Sequence, residues 1–181
     1  MFANARADDK SRMNVIDTVR NTLSVYADSD VRALLTADHQ AICELTQSLA
    51  QASTAQARSS LVDRLRSRLL AHSRAEEESI YAALTGVAGE SAPRIVGFEG
   101  QVEHELLDVA LSRLSASIGA SEEEWTAHAK VLHDLVDRHV ADEENKTFEE
   151  LGERFTVEER ELLASQFEQR RDALLAPAVQ S

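Results

Sequence analysis

Four stretches of apolar residues at helical spacing, separated by short breaks of small and polar residues, restrict this chain to very few folds. The first runs from about Asp30 to Ala50 and carries Val31, Leu34, Leu35, Ile42, Leu45 and Leu49. The second runs from about Ala57 to Leu84, with Leu61, Leu65, Leu69, Leu70 and Ile80. The third runs from about Pro93 to Ser115, with Pro93 suited to a first helical turn. The fourth begins near Ser121, an N-cap residue followed by three glutamates, and ends near Leu151–Gly152. Four long helices with short connections predict an all-α, up-down-up-down four-helix bundle. A capping-box pattern, Thr156-Val-Glu-Glu159, predicts a further helix to about Leu175, before Pro177. Residues 11–27 are weakly amphipathic and would make a short accessory helix. The expected organisation is an N-terminal extension over 1–29, a bundle over 30–152, and a C-terminal helix and tail over 153–181.

Six histidines occur, and four of them, His39, His72, His104 and His139, fall once on each long segment. Their separations are 33, 32 and 35 residues. In an antiparallel bundle each hop measures twice the distance to one end, so near-equal hops bring all four to one level near mid-height. Two of them are followed four residues later by a glutamate, His72 by Glu76 and His139 by Glu143. That spacing stacks imidazole and carboxylate on one helix face. The inward set is then His39, His72, Glu76, His104, His139 and Glu143.

Two carboxylates buried among neutral imidazoles need a cation. One tetrahedral zinc would leave ligands over, and calcium or magnesium would call for oxygen donors. Two iron or manganese ions use the whole set, each with two imidazoles and with both glutamates bridging. Imidazole suits iron and zinc alike, so the donor set alone does not choose the metal. Two ferrous ions less two carboxylates leave a centre more positive than a carboxylate-rich one, which favours binding, sensing or reducing a small oxidant. Ferritin-like bundles use Glu-x-x-His pairs. No histidine here has a glutamate three residues before it, so that alternative is excluded.

The segments LLTADHQAI, LLAHSRAEEESIY, VEHELLDVAL and DRHVADEENKTF resemble the hemerythrin-like, or HHE cation-binding, domain family over about Asp30 to Leu151. The resemblance implies an oxo- or hydroxo-bridged non-haem di-iron centre that binds dioxygen. It also links bacterial members to nitric oxide, peroxide, iron handling and stress responses. Oxygen carriers of the family have a second histidine one turn after that on the third helix, where this chain has Asp108. The departure argues against pure oxygen transport; Asp108 would either lend a carboxylate or face outwards.

The remaining candidates are read as structural. His128 and His133 are solvated or structural, and Cys43, one turn after His39, is a buried small residue that needs no function. Tyr81 packs in the core with its hydroxyl satisfied. Glu77 and Glu144 are solvated or hold the ligands from behind. With 19 basic and 32 acidic side chains the net charge is −13, against nucleic acid or an anionic membrane as partner. One cysteine, and no long apolar run, predict a cytoplasmic protein. The expected function is binding of dioxygen, nitric oxide or peroxide for sensing or detoxification. The alternatives are a peroxide- or nitric-oxide-consuming enzyme served by a reductase, and an iron-handling module acting through a regulatory partner.

Overall fold

The computed structural model describes residues 29–176, and every regular element among them is helical. The expected N-terminal helix lies outside the described residues. Helix α1 spans Val31–Leu49, α2 Ala55–Glu78, α3 Ile80–Thr85, α4 Ala92–Ala116 and α5 Glu122–Asp142. A π-helical turn over Glu143–Thr147 then leads into α6, Phe148–Arg154, and α7 covers Val157–Leu175.

Side chains fix where these helices begin. The Asp30 carboxylate accepts from the Arg32 amide, Thr54 Oγ1 from Ala57, and Ser121 Oγ from Glu124. Thr156 and Glu159 form a reciprocal capping box at the start of α7. Asp30 also receives Arg160 Nε at 2.9 Å, tying α7 to the start of α1. Burial opposes its charge, yet the hydrogen bonds from Arg32 and Arg160 bring its pKa down to about 2.

Two of the expected helices are interrupted. The second breaks at Ser79, whose hydroxyl bonds back to the Ala75 carbonyl while its amide reaches both Ala75 and Glu76. Such back-bonding competes with the regular ladder and bends a helix. The fourth is interrupted by the π turn that starts at Glu143, a local widening that apolar periodicity does not reveal.

The long helices pack in the cyclic order α1–α2–α4–α5, so α1 and α4 stand across a diagonal. Helix α7 lies against α2 and α1. Buried apolar side chains form two clusters. One contains Ile42, Leu49, Leu65, Leu69, Leu107, Leu114, Trp125 and Leu132. The other contains Val31, Leu35, Ile80, Tyr81, Leu84, Phe148, Leu151 and Phe167. On α1, α2 and α4 the buried histidine falls between residues of the two clusters, and on α5 His139 follows the last fully buried residue of the first, so a polar layer divides the core.

Trp125 anchors the first cluster. It is fully buried, donates Nε1–H to the Leu49 carbonyl at 2.9 Å, and lies under the Arg58 guanidinium at 4.9 Å. Arg58 in turn donates to the carbonyls of Ala52 and Ala120, joining two inter-helix connections at one end of the bundle. Trp125→Phe should cost about 1–3 kcal/mol, because it leaves a buried carbonyl without its donor. Trp125→Ala should cost about 3–5 kcal/mol through the cavity it opens. Urea unfolding of the metal-free protein measures both.

Candidate metal centre

All six residues singled out by spacing are buried, and the fold brings them together. His39 and His72 form one imidazole pair, ring centres 5.0 Å apart, and His104 and His139 form another at 4.9 Å. Glu76 spans the two. Its Oε1 lies 3.0 Å from His72 Nε2 and 3.8 Å from His39 Nε2, while its Oε2 lies 3.2 Å from His104 Nε2. Glu143 spans them again, with Oε2 3.1 Å from His39 Nε2 and 3.6 Å from His139 Nε2. Two groups of ligand atoms, each mutually within 4.8 Å, share Glu76: His39, His72, Glu76 and Glu143, and Glu76, His104 and His139.

Most of these inward atoms are close without being hydrogen-bonded. His72 Nε2, His104 Nε2, His139 Nε2 and both oxygens of Glu76 are buried and lack a hydrogen-bond partner. Each such orphan costs about 1–3 kcal/mol. Nitrogen and oxygen point at a common space rather than at each other, so distance brings them near while direction forbids the bond. Two donor atoms each about 2.1 Å from one metal ion stand about 3.0–3.4 Å apart. Three of the observed separations, 3.0, 3.1 and 3.2 Å, fit donors that share a cation, and the other two, 3.6 and 3.8 Å, are somewhat wider.

The outward nitrogens are held differently. His39 Nδ1 is 3.0 Å from Glu144, His104 Nδ1 3.1 Å from Glu77, and His139 Nδ1 2.8 Å from Glu103. His72 Nδ1 approaches Asp38 at 3.6 Å, an ion-pair distance rather than a formed hydrogen bond. An Nδ1–H donated outwards leaves the Nε2 lone pair facing inwards, the tautomer a metal requires. Every carboxylate serves the next helix round: Asp38 of α1 serves α2, Glu77 of α2 serves α4, Glu103 of α4 serves α5, and Glu144 after α5 serves α1. The circuit closes.

Glu77 and Glu144 thus hold histidines from behind, the second of the two roles open to them in the sequence. Asp38 and Glu103 escaped notice there. Each immediately precedes a candidate histidine, and a neighbour rotated about 100° faces the adjacent helix, a usable signal. Tyr81 is fully buried and donates its hydroxyl to Glu143 Oε1 at 2.9 Å. A Cβ at Gly100 would stand 2.4 Å from that ring, so only glycine admits Tyr81 here. The π turn lets consecutive residues work in opposite directions, Glu143 inwards and Glu144 towards His39.

The other candidates lie apart. Asp108 is exposed on α4 and takes no part. His133 contacts Thr46 and Asp137, and His128 is half-buried elsewhere on α5. Cys43 packs against the first apolar cluster, where burial and then Asp137 push its thiol up to about 12.

Without metal, the centre is arranged to hold protons. Burial works against a charged His104, but the carboxylates of Glu76 and Glu77 outweigh it and raise its pKa to about 9. His39 is raised well above its ordinary value, burial being overcome by Glu143, Glu144 and Glu76. Glu76 is held well below the carboxylate range, its burial outweighed by His72, His104 and His39. Anionic carboxylates surrounded by imidazoles attract positive charge, as protons or as metal.

Comparison with curated proteins and with solved structures returns no match. A family model described as the hemerythrin HHE cation binding domain matches residues 30–151, from the N-cap of α1 to the last buried leucine of α6. The match takes in all four long helices and every residue of the buried His/Glu cluster, so the chain belongs to the hemerythrin HHE cation-binding domain family.

Proposed function

We propose that the chain is a non-haem di-iron protein that binds a small oxidant, dioxygen, nitric oxide or peroxide, for sensing or detoxification. The observation that carries this reading is the pair of imidazole pairs spanned by Glu76 and Glu143, with orphaned donor atoms turned to a common space. On this reading His39 and His72 would hold one ion and His104 and His139 the other, with Glu76 and Glu143 supplying carboxylate to both. Bound there, a ferrous pair would supply electrons and open coordination positions.

The chain's own residues do the rest. Glu144, Glu77 and Glu103 fix imidazole orientation by hydrogen bonds, Asp38 faces His72 Nδ1 at ion-pair distance, and the Tyr81 hydroxyl holds Glu143 in place. Leu35, Ile42 and Leu69, all buried, keep bulk water from the His39–His72 side. Between α4 and the π turn a cleft of about 20 Å³ reaches Glu143, lined by Val96, Gly100, Glu103, Lys146 and Thr147 among others. That is room for about one water-sized molecule, which suits a diatomic or a peroxide better than an organic substrate.

This reading takes residues 30–152 as the metal-holding bundle with helices alternating in direction, residues 1–29 as an extension, and 153–181 as a covering helix and tail. No helix among the described residues is long and apolar enough to cross a membrane. The single cysteine suits the cytoplasm, where we place the protein.

Iron-loaded protein should contain two ions per chain, and His72→Ala or Glu76→Gln should lower that figure. Adding each oxidant to the anaerobic diferrous protein should change its absorption spectrum; no change with any of the three ends the proposal. Asp38→Asn should weaken metal binding by about 10–100-fold with the helical signal intact, because it releases His72 from behind. A raised imidazole pKa keeps the metal-free site protonated at neutral pH, so metal must displace protons. Loading at pH 7 should therefore release protons, and affinity should rise with pH up to about 9, where His104 deprotonates. Calorimetry in buffers of different ionisation enthalpy measures the release.

A further inference from the structure

Helix α4 has a second face that the metal centre does not use. Ile95, Phe98, Val102, Leu106 and Val109 lie on it, from 48% exposed at Leu106 to 60% at Val109. At about 100° per residue they fall within an arc of about 80°, on the side of α4 away from His104. The stripe is about 21 Å long, and its Ile95, Phe98 and Val102 wall a shallow groove of about 450 Å³ that also touches Glu99, Glu103 and Lys146. It presents roughly 500 Å² of apolar surface, near the upper end of what a monomer leaves uncovered.

The stripe is its own complement. Its intervals of three, four, four and three residues read the same in both directions, with Val102 at the centre. Laid antiparallel on a second α4, Ile95 meets Val109, Phe98 meets Leu106, and Val102 meets its own copy on a twofold axis. This is the residue-to-residue reciprocity of an isologous interface. Charge agrees with that register on one flank; on the other it brings Glu99 within about 3 Å along the axis of the second copy's Glu103, with Lys146 3.7 Å from Glu99 to offset the two carboxylates. Arg94 and Asp108 are exposed, flank the stripe on one side, and have no ion-pair partner among the described residues. The antiparallel arrangement puts Arg94 within about 3 Å along the axis of the second copy's Asp108, and symmetry repeats the pair. A parallel arrangement would instead leave Arg94 about 21 Å along the axis from the second copy's Asp108. Two such faces with their polar rims bury roughly 1,200 Å², the lower end for a specific complex.

We propose that the exposed face of α4 is a homodimer interface, in which two copies pair antiparallel about Val102 with Arg94 and Asp108 exchanging ion pairs across it. The net charge of −13 opposes association, so the measurement belongs at physiological salt, where such repulsion is screened beyond about 8 Å.

Sedimentation velocity on the full chain should show a concentration-dependent dimer. Val102→Asp should weaken it at least 100-fold with an unchanged helical circular dichroism spectrum. Arg94→Asp should weaken it several-fold, and adding Asp108→Arg should restore it. In a Cys43→Ser background, Val102→Cys should form an interchain disulfide under mild oxidation, a readout that survives should the aspartate variant fail to fold. A wild-type chain that stays monomeric through the micromolar range overturns the proposal. So does a dimer indifferent to Val102→Asp, or one in which Val102→Cys does not cross-link. Faster hydrogen exchange along α4 on removing residues 1–28 from a monomer would assign the face to that segment instead, and would equally overturn it.

Discussion

The structure depends on a closed circuit of carboxylate–imidazole contacts in which each long helix braces a histidine of the next. Because every contact joins two helices, the circuit sets their mutual rotation and height at one level. A slip of α4 by one residue would turn His104 by about 100° and remove Glu103 from His139 together. Apolar packing alone tolerates repacking. Two clusters of Leu, Ile and Val would therefore accept several relative heights, whereas four reciprocal polar contacts accept one.

That layer is costly without a ligand. Glu76 is fully buried, and both of its oxygens lack hydrogen bonds. Burying carboxylates among imidazoles is supportable only when the imidazoles carry protons or a cation occupies the shared space. The raised histidines and the depressed Glu76 show the first solution in the metal-free chain. Membership of a cation-binding family supplies the second. The two solutions compete for the same inward nitrogens, so proton and metal are alternatives at one site rather than independent ligands.

Much of this was legible in the sequence, for reasons tied to particular residues. Equal spacing of His39, His72, His104 and His139 conveyed both the bundle and the level of the site, since only a set of antiparallel rods gives that spacing a meaning. The four-residue steps to Glu76 and Glu143 marked the carboxylates. Tertiary features were harder to read. Ser79 as a helix break and the π turn at Glu143 depend on local hydrogen bonding, which leaves the apolar period unchanged. The Tyr81–Glu143 contact required knowing that Gly100 leaves space for a ring from another helix. Asp38 and Glu103 looked like ordinary surface acids because their partners lie more than 30 residues away in sequence.

The bundle is also lopsided, and the asymmetry divides its labour. Helix α7 lies on α1 and α2, where Phe167 meets the His72 ring at 5.8 Å and Arg171 reaches Asp38 at 3.4 Å. Arg68 from α2 reaches the same carboxylate at 3.1 Å. Burial opposes the charge of Asp38, but His72 first, and then the guanidiniums of Arg171 and Arg68, lower its pKa and hold it as an anion behind His72. That side is closed by chain the bundle itself does not supply. Among the described residues no such cover lies on the opposite side, between α4 and the π turn, where both the cleft to Glu143 and the exposed apolar stripe are found. Among the described residues, α4 thus carries His104 on its inner face and the exposed apolar stripe on its outer one.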